Sequence, residues 1–111
     1  MRILLDECLP KDFARELGNH AVSTVPQAGW SSVKNGEFLR LIAESGKFDA
    51  FVTVDKNLPH QQKLDGLPFA IIVIRAKSNR LADLKPLAPD LLQRMEEFQP
   101  GHVYFLSEAE R

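Results

Sequence analysis

The sequence predicts an α/β domain in three layers, with helices on both faces of a mostly parallel central sheet of about five strands. Three observations predict it. Short β-rich runs alternate with stretches of helical periodicity in the order β-α-β-α-β-(α)-β-α-β, and right-handed crossovers turn that alternation into a parallel sheet. The run Ala70-Ile71-Ile72-Val73-Ile74 is apolar throughout, as a strand covered on both faces requires. Finally, 111 residues, 44% of them hydrophobic and 26% charged, suffice for one core and are too few for two, so residues 1–111 form a single domain.

The elements follow in order. Ile3 to Leu5 is a short buried strand. Pro10 to Leu17 puts Phe13, Ala14 and Leu17 on one helical face, with Pro10 suited to a first turn and Gly18 to a stop. Ala21 to Val25 is β-branched. Gly36 to Ser45 carries Phe38, Leu39, Leu41 and Ile42 at helical spacing, with Asn35 before it and Gly46 after it. Ala50 to Val54 and Ala70 to Ile74 are strands, with a shorter helix from about Pro59 to Leu64 between them. Pro89 to Phe98 repeats the helical pattern through Leu91, Leu92, Met95 and Phe98 and stops at Pro100-Gly101. Val103 to Leu106 is the last strand.

Several function classes drop out. No apolar window nears the ~18 residues of a membrane span. Asp6 and Glu7 interrupt any hydrophobic leader almost at once. Cys8 is the only cysteine, which rules out an internal disulfide and suits a reducing, cytoplasmic setting. His20, His60 and His102 lack zinc-ligand spacing, and no phosphate-binding loop or serine-hydrolase motif occurs. A net charge of −1 argues against a basic nucleic-acid coat. A nucleic-acid partner would need a local patch or a bound cation.

The carboxylates at the strand ends point to such a cation. In a 2-1-3-4 strand order the first and third strands are neighbours about 4.8 Å apart. They end in Asp6 and Asp55. Two close carboxylates repel unless a cation joins them, and Mg²⁺ or Mn²⁺ prefers such oxygen ligands. Glu37, in the first turn of the second helix, falls on the same edge. Thr53 lies two residues before Asp55 and shares its sheet face, where its hydroxyl can orient the Asp55 carboxylate. Plainer readings exist. Acids follow strands because loops are polar, and Glu37 can simply complement the helix dipole, worth about 0.3–1 kcal/mol. Glu7 is either a further ligand or a solvated neighbour of Asp6.

The segments "ILLDECLP" and "KNGEFLRLIAESGKFDAFVTVDKNL" resemble the short PIN-like domains found as toxins of bacterial toxin–antitoxin pairs. The resemblance covers roughly residues 2–75; from Ala76 onward only the helix-then-strand pattern agrees. It implies a PIN-like fold and a metal-dependent endoribonuclease, a hydrolase of RNA. It also implies Mg²⁺ or Mn²⁺ held by Asp6, Glu37 and Asp55 as catalytic acids, and a small antitoxin protein as partner. Two positions depart from the pattern: Asn57 and Asn35 stand where many relatives have Asp. That lowers the charge of the site, although an amide oxygen can still coordinate a metal or its water. Lys34, Lys56 and Lys63 fall near the same edge and can hold an RNA backbone or merely aid solubility. Gln61 and Gln62 can bond a base or phosphate or decorate a helix. Trp30 can stack on a base or anchor its loop.

Two other classes fit parts of the chain. A response-regulator receiver also uses an acidic pair after strand one and a phospho-accepting Asp after strand three, which Asp6, Glu7 and Asp55 match. It also wants a Ser or Thr after strand four and a Lys after strand five. Here those strands lead into Arg75-Ala76-Lys77 and Ser107-Glu108. The other class is a catalytically weak or inactive scaffold that acts by protein interaction, including a homodimer through the last strand or the helix near Leu91 to Phe98.

Overall fold

Four-residue strands such as Arg2–Leu5 and Ala50–Thr53 cannot be stable alone; they gain stability by pairing into one sheet. The structure is a computed structural model and describes residues 1–18, 20–31, 33, 35–58 and 66–107, the side chains of residues 35 and 36 excepted. Its strands are β1 (Arg2–Leu5), β2 (Ala21–Thr24), β3 (Ala50–Thr53), β4 (Ala70–Arg75) and β5 (Val103–Ser107). All neighbours are parallel, in the order β2-β1-β3-β4-β5. The α/β architecture expected from the sequence is therefore observed. The short helix expected from Pro59 to Leu64 lies outside the described residues.

Alternate residues of each strand feed two separate cores, because successive side chains point to opposite faces. Ile3, Leu5, Ala50, Val52, Ile72 and Ile74 join one core with Phe13, Leu17, Leu87 and Leu91. Leu4, Phe51, Ile71 and Val73 join the other, with Phe38, Leu39 and Ile42 of α2 (Asn35–Ser45). Residues Ala70 to Ile74 are all buried, which explains why the sequence of β4 shows no polar alternation.

Several element ends differ from expectation for local reasons. β2 stops at Thr24 because Thr24 caps α1 (Val25–Ala28): its Oγ1 accepts the Gln27 N–H at 3.3 Å, and Gln27 Oε1 accepts the Thr24 N–H at 2.9 Å. This reciprocal pair, with Pro26 in the first turn, outweighs the β-branched character of Val25. Lys11–Leu17 forms a 3₁₀ helix. Pro10 precedes it without a side-chain cap, and the Phe13 N–H bonds the Pro10 carbonyl, three residues back. The last helical pattern divides into α3 (Leu81–Leu84), a 3₁₀ turn at Lys85–Leu87, α4 (Ala88–Arg94) and a second turn at Met95–Glu97. Pro86 and Pro89 lack the N–H that a continuous helix would need. Among the described residues no helix is long and apolar enough to cross a membrane.

Candidate functional site

In a doubly wound sheet of this order, β1 and β3 flank the switch point, where connections diverge to opposite faces and open a crevice at the strands' C-terminal ends. Asp6 follows β1 there and Asp55 follows β3. The Asp6 N–H bonds the Val52 carbonyl at 2.9 Å, so the ladder carries Asp6 to the edge of the sheet.

Thr53 joins the two acids. It is fully buried, and its hydroxyl donates to Asp6 Oδ2 at 2.6 Å while accepting the Asp55 N–H at 3.0 Å. Cys8 Sγ lies 3.8 Å from the same oxygen. A hydroxyl has one proton and two lone pairs. That proton is committed to Asp6, so the thiol must be the donor in the third contact. Burial pushes the Cys8 thiol up from its ordinary value, and the charge of Asp6 adds to the shift. Cys8 is thus held as a neutral S–H donor, not as a reactive thiolate.

The loops after the two strands follow one pattern. Asp6 Oδ1 accepts the Glu7 N–H at 2.8 Å, and Asp55 Oδ1 accepts the Asn57 N–H at 3.0 Å. The backbone then turns, Leu9 N–H to the Asp6 carbonyl and Leu58 N–H to that of Asp55. Glu7 and Asn57 therefore contribute backbone donors; both residues are exposed. Lys56 is also exposed.

No match was found among known protein families, curated proteins or solved structures. The reading of the site rests on its geometry.

That geometry brings together Asp6, Asp55 and Thr53. The sequence suggested that the Thr53 hydroxyl orients the Asp55 carboxylate; its proton goes instead to Asp6, across the strands, and only its lone pair serves Asp55, through the backbone. Glu37 is exposed in the first turn of α2 and pairs with Arg40 at 3.6 Å. Among the described residues no three His, Cys, Asp or Glu side chains are grouped as metal ligands. Lys34, Gln61, Gln62 and Lys63 lie outside the described residues, as does the side chain of Asn35. Trp30 makes edge contacts to Phe38 and Phe48 at 6.2 and 6.1 Å between centroids, the anchoring role. Two carboxylates with unfilled lone pairs suit a hard divalent cation, which often takes one or two protein carboxylates and completes its shell with water.

Sequence reasoning missed the segment after β4. Asn79 Nδ2 donates to the Cys8 carbonyl at 3.0 Å, tying this loop to the one that carries Asp6. Ser78 donates to Asp83 and accepts the Arg80 N–H at 3.1 Å. No motif marks "AKSNRLAD", but every parallel strand delivers its following loop to the same edge, and that rule alone would have flagged it.

Proposed function

We propose that this protein is a metal-dependent ribonuclease of the PIN-like kind, acting as the toxin of a toxin–antitoxin pair and hydrolysing RNA phosphodiester bonds. One observation carries the reading: a buried threonine couples the Asp6 and Asp55 loops at the β1/β3 switch point. Asp6 and Asp55 would hold Mg²⁺ or Mn²⁺. When bound, the cation would supply Lewis acidity toward the phosphate and activation of the attacking water. The chain's own residues do the rest. Thr53 and the Glu7 N–H each satisfy one oxygen of Asp6, which fixes the plane of its carboxylate. The Asn57 N–H satisfies one oxygen of Asp55. Two uncompensated carboxylates repel a phosphodiester, so substrate approach depends on the cation. Lys56 can contact the RNA backbone from the rim. A small antitoxin seated over the acidic edge would block both cation and substrate.

The test measures Mn²⁺ affinity by calorimetry and RNA cleavage in the same preparations of wild type, Asp6→Asn and Asp55→Asn. Both variants should bind Mn²⁺ at least about tenfold more weakly and lose cleavage. Equal affinity in all three proteins would overturn the site assignment; metal binding without cleavage would make the domain an interaction scaffold. The strand order is also that of receivers, so the third arm is incubation with a small phosphodonor. Stable phosphorylation of Asp55 would replace the nuclease reading. The structure offers that alternative little support, since the Ser78 hydroxyl is engaged with Asp83.

A further inference from the structure

The loop that follows β4 carries Lys77 and Arg80 within six residues of the strand end. Neither cation has a carboxylate partner among the described residues. Lys77, Ser78, Arg80 and Asp83 line an open cleft of about 420 Å³, within the range of about 300–1,000 Å³ typical of ligand sites. The one acid of the cleft is engaged internally, because Asp83 accepts the Ser78 hydroxyl. Ser78 in turn receives the Arg80 N–H, so the serine and the acid set the shape of the loop. Both cationic side chains are exposed.

The position of this cleft is what gives it meaning. Asn79 sits between the cleft residues and bonds the Cys8 carbonyl, two residues beyond Asp6. The loop therefore spans from the end of β4 to the loop after β1, which also carries Asp6. The chain as a whole is slightly acidic, so general attraction cannot hold a polyanion here; a local cationic surface must.

We propose that the Lys77–Arg80 loop is the backbone subsite for single-stranded RNA, holding a phosphate beside the one exposed to Asp6 and Asp55. The inference rests on the ribonuclease reading for its substrate class. Phosphate contacts of this kind set register and orientation without reading sequence. They also release counterions, which makes them visible as a salt dependence of about 0.7 per phosphate neutralised on a single strand.

The experiment separates this proposal from the nuclease reading by measuring binding without catalysis. A fluorescent single-stranded oligoribonucleotide is titrated in EDTA, from about 50 to 200 mM salt, against wild type, Lys77→Gln/Arg80→Gln and Asp55→Asn. The double variant should lose at least about tenfold in affinity at the lowest salt, and its slope of log K on log salt should fall by about 0.7, the share of one phosphate. Asp55→Asn should bind as wild type does or more tightly. Lys77→Arg/Arg80→Lys should restore the slope, which a folding defect would not allow. An unchanged slope in the double variant overturns the proposal. So does tighter binding of a polyglutamate of equal charge, which would assign the loop to an acidic protein partner. RNA binding that depends on Lys77 and Arg80, in a protein that cuts no RNA with Mn²⁺, would support the subsite while removing the nuclease.

Discussion

Replacing Thr53 with valine tests the joint at the centre of the site. Valine matches threonine in shape but has no hydroxyl, so the bonds to Asp6 and Asp55 vanish from a buried position, together with the weaker contact from the Cys8 thiol. The bond to the Asp6 carboxylate is charge-assisted and worth about 1.5–3 kcal/mol. The stranded Asp55 N–H adds about 1–3 kcal/mol, less whatever water recovers at the strand end. The added methyl returns about 0.8 kcal/mol. A net loss of about 2–4 kcal/mol is expected, or about 8–16 °C in Tm at about 4 °C per kcal/mol for a domain of this size. Thr53→Ser keeps both bonds and loses a methyl, so it should cost only about 1 kcal/mol. The assay is thermal unfolding of wild type, Val and Ser variants, followed by a double-mutant cycle with Asp6→Asn. The cycle should show a coupling of at least about 1 kcal/mol between residues 6 and 53. A valine variant that melts within about 2 °C of wild type, or a serine variant that falls as far as valine, would falsify the claim that this hydroxyl organises the site.

Other perturbations probe the scaffold. Ile72 is fully buried in the central strands, and Ile72→Ala should cost about 2–5 kcal/mol, seen in urea as a lower midpoint at unchanged slope. Thr24→Ala removes the capping pair of α1 and should cost about 0.5–2 kcal/mol by the same measurement; no loss would mean the cap is not formed. Asp49 accepts the side chain and the backbone N–H of Arg2, and these bonds hold its carboxyl below the usual carboxylate range. A lowered folded-state pKa gives stability that is present above the unfolded value, near 4, and lost as pH falls through the folded value. Wild type should therefore lose stability more steeply than Asp49→Asn below about pH 4 and run parallel to it above about pH 5. Identical acid limbs would show that this exposed pair contributes nothing.

Much of this protein was legible in one dimension. Strand positions follow from apolar runs, because a buried strand must exclude polar side chains. The parallel sheet follows from alternation with helices, because a parallel return needs a crossover. Asp6 and Asp55 stand out because they end such runs. Helix ends were harder. Thr24 and Gln27 compete with the β preference of Val25, and only the closed capping pair decides between them. Glu37 fits either a ligand or a helix-dipole role by sequence, and its pairing with the i+3 neighbour Arg40 is visible only in the structure.

The sequence by itself determined the fold class, the central place of β1, β3 and β4, and the two acids at the sheet edge. Each of these depends on local pattern or on chain connectivity. The tertiary structure alone decided where the Thr53 proton goes, that Cys8 serves it as a neutral donor, and that the loop after β4 reaches back to Cys8. Those contacts join residues 45 to 71 positions apart. Nothing in local sequence encodes a hydrogen bond between loops that only the sheet order brings together.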